Sequence, residues 1–264
     1  MISSGIHVTH ITTGLRNGGA ENILFHLVKN TNPLIKHHIV SLSSKGKYYN
    51  SLIANNIDVS IIEMPRGRLT LGGIVKLIRL LKNNNTDVIQ TWQYHADLIG
   101  GLCAKLAGKK NIIWNIRSAE LSKKNMKFTT VLVVKICAIL SQWIPDKIVT
   151  CSKRSIDLRK RMGYKDKFYY IPNGYDKSTF YSSLKQRTET RKLWNLSNKD
   201  LILIGMVARY NHQKNHSGLL TAFSLVQKQF NNVRLVLIGK GMNKDNYSIV
   251  NMMAKLSIND SVKL

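Results

Sequence analysis

Short apolar runs alternate with helix-length segments along the first 172 residues. Runs rich in β-branched residues, such as IHVTHITT (6–13), HHIVSLS (37–43) and DVIQTW (87–92), predict buried strands. Between them lie segments such as GGIVKLIRLLKN (72–83), in which apolar residues recur every three or four positions and predict amphipathic helices. Because strands that alternate with helices form parallel sheets covered on both faces, the pattern predicts an α/β fold with a doubly wound, Rossmann-like domain over residues 1–172.

The pattern changes around residues 173–199, which are polar, rich in Ser, Thr, Asn and Lys, and contain no apolar run. This composition predicts an interdomain connection that includes some helix. A second alternation over residues 200–264 contains two predicted strands, 201–209 and 233–239, each followed by a helical segment. Two strands and two helices are few for a doubly wound domain, so the pattern predicts an incomplete second Rossmann-like domain.

Charge and composition narrow the class of protein. The chain has 40 Lys and Arg against 14 Asp and Glu, a net charge of +26 that favours contact with phosphate, although a biased composition alone could also produce it. Aromatic residues are not interleaved with basic ones, so no nucleic acid is expected as a partner. The three cysteines have no metal-ligand spacing and no secretory signal is present, which favours a cytoplasmic protein. The most apolar stretch, residues 129–144, contains Lys135 and predicts a buried helix rather than a membrane span.

Three turns that follow predicted strands have the composition of ligand-binding loops. Gly18 and Gly19 lie directly before a helix, and Glu21 lies in its first turn. The free amides of a helix N-terminus suit a phosphate or a sugar hydroxyl, and the alternative is an ordinary tight turn. Taken alone, this first turn does not distinguish the two interpretations.

The corresponding turn of the second domain carries two cations. Arg209 ends a predicted strand, and Lys214 lies close to the start of the next helix. Such a pair can bind a diphosphate and stabilise charge on a leaving group, whereas the alternative is two solvated loop cations. Gly239 and Gly241 follow the next strand and offer another point of close approach to the backbone.

Together these segments carry a family resemblance. GGAE after the first strand, IVTCSKRSIDLRKRMGY leading into FYYIPNGYDKSTF, MVARYNHQKNH and LVLIGKG resemble the retaining GT-B glycosyltransferases, the large family that includes sucrose synthase and bacterial mannosyltransferases. TWQYHADLIGGLCAKLAG and WNIRS are similar to a bacterial subgroup associated with surface polysaccharides such as lipopolysaccharide or capsule. The resemblance covers nearly the whole chain.

The resemblance implies transfer of a sugar from a UDP- or GDP-linked donor, with retention, to a saccharide or lipid-linked acceptor. By motif match, Arg209 and Lys214 would hold the donor diphosphate, and Gly239 and Gly241 would lie on the nucleotide side. Gly18 and Gly19 would line the cleft near the transferred sugar or the diphosphate. Asn173 and Gly174 would mark the cleft where the hinge begins. No metal or cofactor is implied.

The chain departs from the family pattern at two places. Many relatives carry a histidine in the loop after the fifth strand, a position that Arg117 occupies here; a guanidinium stabilises charge but cannot serve as a general base. His95 is the nearest candidate for a polar catalytic role, and the alternative is a structural histidine. Family members also continue past the position of Leu264 with a Glu-x7-Glu segment that contacts the donor. A truncated second domain with weak or no activity is therefore expected.

One predicted helix bears on the acceptor. Ile74, Leu77, Ile78 and Leu81 form one face, while Lys76, Arg79 and Lys82 lie on another, with Arg66 and Arg68 just upstream. This pattern fits an ordinary amphipathic helix, or a peripheral contact with the anionic inner face of the cytoplasmic membrane. Three other functional hypotheses remain open: an inactive remnant, a nucleotide-sugar epimerase of GT-B architecture, and a basic nucleic-acid-binding protein.

Overall fold

A computed structural model describes residues 5–65, 67–118, 128–198 and 200–264. The chain forms two compact units, Met1–Gly174 and Tyr175–Leu264. The sequence pattern predicts a long helix around residues 124–143, of which residues 124–127 lie outside the described residues, as does Arg66.

The first unit is built on a seven-stranded sheet in the order β3-β2-β1-β4-β5-β6-β7, and every strand pairs with its neighbour in parallel. The predicted doubly wound α/β fold is confirmed. The strands are β1 (Ile6–Thr12), β2 (Ile35–Ser41), β3 (Asp58–Ile61), β4 (Val88–Trp92), β5 (Ile112–Ile116), β6 (Lys147–Thr150) and β7 (Phe168–Tyr170). The helices are α1 (Gly19–Asn30), α2 (Tyr49–Ala54), α3 (Leu71–Asn83), α4 (Tyr94–Leu106), α5 (Phe128–Leu140) and α6 (Lys153–Arg161).

Helices cover both faces of this sheet. On one face, Leu24 and Val28 of α1 pack with Ile39 and Trp92. On the other face, α3, α4 and α5 pack against alternate residues of the same strands, among them Ile11, Val40 and Ile89. Because successive side chains of a strand point to opposite faces, these two clusters use residues on opposite faces of β2 and β4.

The second unit contains a three-stranded parallel sheet in the order β10-β9-β8. Its elements are α7 (Leu184–Leu193), β8 (Ile202–Val207), α8 (His216–Gln229), β9 (Val233–Ile238), α9 (Tyr247–Lys255) and β10 (Val262–Lys263). The count of two strands was wrong, because β10 pairs with Leu235 and Val236 of β9. A strand of two residues is too short to show periodicity, so pairing alone identifies it.

Two element boundaries differ from the predicted ones and change the position of candidate residues. The sequence pattern predicts a helix over ADLIGGLCAKLAG (96–108), but α4 begins at Tyr94, so His95 lies in its first turn rather than before the helix. Strand β8 ends at Val207, so Arg209 lies in the connection that follows. No helix among the described residues is long and apolar enough to cross a membrane.

Two ionisable side chains are buried beneath the carboxyl edge of the first sheet. Asp97 of α4 and Arg159 of α6 are each 1% exposed. Burial raises the pKa of Asp97 to about 7, while a hydrogen bond from Thr91, the nearby Arg159 charge and a hydrogen bond from the Asn115 amide oppose that rise. The Thr91 hydroxyl donates to the Asp97 carboxyl over 2.6 Å. Asp97 therefore titrates close to neutral pH inside the protein.

The residue that joins β4 to α4 has an unusual backbone. Gln93 has φ 75° and ψ 157°, a conformation that glycine adopts freely and that strains other residues. Its amide donates to the Asn115 carbonyl over 3.2 Å. This bond holds the turn against β5, next to the N-terminus of α4.

Replacing Gln93 with Gly should relieve this strain. We expect Gln93→Gly to raise the free energy of unfolding by about 1 kcal/mol, as measured by urea denaturation, because strain of about 1 to 3 kcal/mol outweighs the added flexibility of glycine. Gln93→Ala is the matched control, since it shortens the side chain but keeps the strained backbone. Equal stabilities of the two variants would contradict this account.

The raised pKa of Asp97 predicts a pH dependence of stability. The folded-state pKa, about 7, exceeds the ordinary value of 3.8, so between these values the folded state binds more protons than the unfolded state. The free energy of unfolding therefore falls as pH rises through this window, and Asp97→Asn, which never ionises, escapes this loss. Between about pH 5 and about pH 8, the parent should lose roughly 1 kcal/mol or more relative to the variant.

Urea denaturation of both proteins at several pH values measures this difference. The exposed Asp260 supplies the control, because Asp260→Asn should run parallel to the parent. A difference between parent and Asp97→Asn that is constant with pH would show that Asp97 is ionised throughout.

Candidate functional site

In the first unit, the place where an open α/β sheet forms its ligand-binding crevice lies at the carboxyl ends of β1 and β4. These two strands are neighbours in the sheet, yet α1 and α4, which follow them, pack on opposite faces. Ligands of open α/β sheets bind where the connections diverge in this way. Gly18 and Gly19 lie on the β1 side of this point, and His95 lies on the β4 side.

Gly18 and Gly19 occupy the start of α1 and differ in what surrounds them. Gly18 is the N-cap residue, and its carbonyl accepts from the Asn22 amide over 3.0 Å. The Glu21 carboxylate folds back over Gly18, where an added Cβ would lie 2.2 Å from it, whereas nothing lies within 4 Å of the same position at Gly19. The open backbone therefore lies at Gly19, and the carboxylate of Glu21 lies beside the N-terminus of α1, where its charge is favoured.

Arg117 lies just beyond β5 and contacts a second predicted site residue. Its guanidinium donates to the side-chain oxygen of Asn173 and, over 3.4 Å, to that of Asn115. It also lies 5.7 Å from the centre of the Trp92 ring. The fold thus brings together Arg117 and Asn173, which are far apart in the sequence, while Gly174 next to Asn173 is exposed.

His95 is partly buried, and burial lowers the pKa of its imidazole. The shift favours the neutral ring near pH 7, and a neutral ring can both donate and accept a hydrogen bond. The preceding residue, Tyr94, is buried, and burial raises the pKa of its hydroxyl, which keeps it protonated. This hydroxyl is hydrogen-bonded to Ser118, the residue after Arg117.

In the second unit, Arg209 and Lys214 lie on either side of a short connection between β8 and α8. Lys214 ends a single helical turn, His212–Lys214, and Asn215 then caps α8 by accepting from the Gly218 amide over 3.2 Å. Both cations are exposed. In the part of the chain that the structure describes, neither side chain forms a hydrogen bond or ion pair, so both charges are available to an anion.

Gly239 allows the loop after β9 to pass close to Arg209. Its φ is 148°, and an added Cβ would lie 2.3 Å from the Ala208 carbonyl oxygen and 3.0 Å from the Arg209 nitrogen. The Tyr210 amide donates to the Lys240 carbonyl over 2.8 Å, which ties the two loops together. Gly241, with φ 81°, packs on Tyr210. Three of the predicted residues, Arg209, Gly239 and Gly241, therefore belong to one pair of adjacent loops.

Several side chains of these sites were not among the residues predicted from the sequence. Trp92 and Asn115 contact Arg117, and Ser118 follows it and is hydrogen-bonded to Tyr94; the signal available for all three was their place in the family segments TWQYHADLIGGLCAKLAG and WNIRS. His216, the first residue of α8, is 3% exposed and packs against the Tyr210 ring at 5.6 Å. Neither of its ring nitrogens has a hydrogen-bond partner among the described residues. Within those same residues, no group of three His, Cys, Asp or Glu side chains could hold a metal ion.

Comparison with known proteins agrees with this architecture. The sequence model of Glycosyltransferase Family 4 matches residues 17–179, and that of Glycosyl transferases group 1 matches residues 187–264. A capsular polysaccharide biosynthesis glycosyltransferase, CapH of Staphylococcus aureus, is 23% identical over 98% of this chain and 69% of its own length.

Solved structures show the same fold. Anabaena HepE in complex with UDP-glucose superposes with a TM-score of 0.77 and 17% identity, covering 98% of this chain and 68% of that one. The apo form of the lipopolysaccharide outer core galactosyltransferase WaaB superposes with a TM-score of 0.66 and 14% identity, covering 97% of this chain and 67% of that one. Since one family model spans more than half of the residues, the chain belongs to glycosyltransferase family 4 and is a glycosyltransferase with the GT-B fold.

Proposed function

We propose that this protein transfers a hexosyl group, with retention, from a UDP- or GDP-linked sugar to a saccharide or lipid-linked acceptor during assembly of a surface polysaccharide. Two relatives support the proposed reaction, since CapH is named for capsular polysaccharide biosynthesis and HepE was solved with UDP-glucose. The observation that carries the proposal is the pair of cations in the connection before α8, Arg209 and Lys214, whose side chains have no hydrogen-bond or ion-pair partner among the described residues.

The donor diphosphate is the chemistry that this pair fits. Two cations and the positive end of α8 attract the two phosphates, and Gly239 lets the neighbouring loop pass close to Arg209. Breaking the sugar–phosphate bond releases a nucleoside diphosphate with additional negative charge. Arg209 and Lys214 stabilise that charge as it develops, which lowers the barrier to transfer. No metal or cofactor is part of this proposal, and a transfer assay with and without EDTA tests that point.

The acceptor is assigned to the first unit. Arg117 stabilises charge near the reacting centre, because a guanidinium retains its proton at all physiological pH values. His95, kept neutral by burial, supplies a hydrogen bond to the acceptor hydroxyl. Gly19 at the start of α1 provides open backbone for the transferred sugar.

Removing either donor-side cation should impair transfer. We expect Arg209→Met and Lys214→Met each to lower kcat by about 100-fold, the usual loss when one preorganised stabilising group is removed. The assay follows release of UDP from UDP-glucose, or GDP from GDP-mannose, with a polysaccharide-precursor acceptor. Lys228→Met, at the exposed far end of α8, is the matched control and should retain parental turnover.

The products of the same assay test the reaction class. A glycoside formed only when acceptor is present is the expected product, and the anomeric configuration of its new bond tests retention. Free epimerised sugar made without acceptor would instead indicate an epimerase. Full turnover by both cation variants would contradict the assignment of the diphosphate to this loop.

A lipid-linked acceptor would require contact with the membrane surface, and α3 supplies a fitting face. Leu77 and Leu81 are fully buried, while Leu71 and Val75 are 83% and 53% exposed. Three cations, Lys76, Arg79 and Lys82, are exposed on the same helix. We include in the proposal that this face binds the anionic inner leaflet, with α3 lying along the surface.

Co-sedimentation with liposomes tests this contact. Because each cation near an anionic surface contributes about 1 kcal/mol, replacing Lys76, Arg79 and Lys82 with Gln should weaken binding by roughly 100-fold at low salt. A charge-matched control replaces the exposed Lys228, Lys244 and Lys255 of the second unit with Gln. Equal losses in the two triple variants, or equal binding to neutral and anionic liposomes, would refute a specific role for α3.

A further inference from the structure

Arg159 is a buried cation whose side-chain hydrogen bonds go to the Tyr94 and Ser118 hydroxyls, and its guanidinium also lies 5.6 Å from the centre of the Tyr164 ring. It is 1% exposed, and no ion pair within 4.0 Å neutralises it in the described part of the chain. Its Nη2 donates to the Tyr94 hydroxyl over 2.9 Å and reaches the Ser118 hydroxyl at 3.5 Å. Its guanidinium also lies over the Tyr94 ring, 4.8 Å from the centre.

The hydrogen bonds of Arg159 converge on Ser118, which immediately follows Arg117. The Tyr94 and Ser118 hydroxyls are hydrogen-bonded to each other, and Arg159 contacts both. The Ser155 hydroxyl of α6 also donates to the Ser118 carbonyl over 3.3 Å. Side chains from α4 and α6 therefore hold the backbone and the side chain of Ser118.

The residues before Arg117 are held in a similar way. The Asn115 carbonyl accepts from the Gln93 amide over 3.2 Å, and the Asn115 amide is hydrogen-bonded to the buried Asp97. Arg117 thus lies between two anchored residues, Asn115 and Ser118. Its own guanidinium then reaches Asn115 and Asn173.

We propose that Arg159 and Tyr94 are positioning residues for sugar transfer, which fix the Arg117–Ser118 segment so that the Arg117 guanidinium is presented at the carboxyl edge of the first sheet. This inference rests on the proposed role of Arg117 in the reaction. Neither Arg159 nor Tyr94 contacts substrate in this scheme, and both act through the loop that they hold.

Stability alone is a poor explanation for this arrangement. Desolvating a guanidinium is unfavourable, and an apolar side chain of similar size is often as stable or more stable at such a position. Arg159 leaves Nη1 without a partner among the described residues, so its hydrogen bonds do not fully offset its burial. A group that is retained under these conditions and hydrogen-bonded to Tyr94 and Ser118 is better explained by the position that it imposes on the Arg117–Ser118 segment.

The test compares Arg159→Met and Tyr94→Phe with Arg161→Met, the same substitution at an exposed position of the same helix. We expect the first two to lower kcat by about 10-fold or more, because small displacements of a catalytic group strongly slow a reaction. The donor KM should change by less than about two-fold, since the donor diphosphate is bound elsewhere. Arg159→Lys, which can keep one bond to Tyr94, should recover part of the loss.

A double-mutant cycle separates positioning from general destabilisation. In an Arg117→Ala background, Arg159→Met should lower kcat by less than about two-fold, because the group that it positions is already absent. A purely structural role would lower kcat by the same factor in both backgrounds. That result would overturn the inference.

Hydrogen exchange supplies a readout that does not need turnover. The amides of residues 115–118 should exchange faster in Arg159→Met and Tyr94→Phe than in the parent, and at the parental rate in Arg161→Met. Unchanged exchange in the first two variants overturns the inference whatever the activity. If Arg117→Ala alone retains full kcat, the proposed role of Arg117 fails; if it is impaired while Arg159→Met and Tyr94→Phe are not, only the present inference fails.

Discussion

The parallel direction of the strands is the constraint on which both units depend. Seven strands in the first sheet and three in the second all pair in parallel. Each connection must therefore return the chain over a face of the sheet, and each carboxyl strand end precedes a loop or a helix N-terminus at one common edge. Every residue of the candidate sites lies at such an edge, because that is where loops and free helix amides occur together.

A common edge also brings polar backbone and charged side chains into a region that the helices bury. In the first unit, hydrogen bonds between side chains connect several of these groups, among them Asp97, Arg159 and the hydroxyls of Thr91, Tyr94 and Ser118. The strained turn at Gln93 lies in the same place. Strain and buried charge both oppose folding, and both concentrate around the loop that carries Arg117, as is common where geometry serves chemistry.

In the second unit, the charged residues at the carboxyl edge of the sheet are less buried than those of the first unit. Arg209 and Lys214 are exposed, and their connection is shaped by glycine and by backbone hydrogen bonds between neighbouring loops. This difference suits the two proposed tasks. A mobile, strongly charged diphosphate is held well by exposed cations, whereas a group that must stabilise charge at one point needs a fixed loop.

Hydrophobic periodicity was sufficient to predict how strands and helices alternate along the chain, the doubly wound class and the buried face of α3. Each of these follows from residues close together in the chain. Turn composition predicts Arg209, Gly239 and Gly241 as candidate residues, and the fold places their loops next to each other. The network around Arg117 was not predictable in this way. Arg159 is one of several cations in a basic helix, and nothing local distinguishes the buried one from its exposed neighbours.

The sequence by itself therefore determined most of the secondary structure, the fold class and the family, since short-range patterns and motifs encode them. Only the tertiary structure decided the strand order, the third strand of the second sheet, the place of His95 inside α4, and the contact of Arg117 with Asn173. Those features depend on pairing and burial between residues distant in the chain. Such interactions have no signature in a single sequence until the strands are assembled.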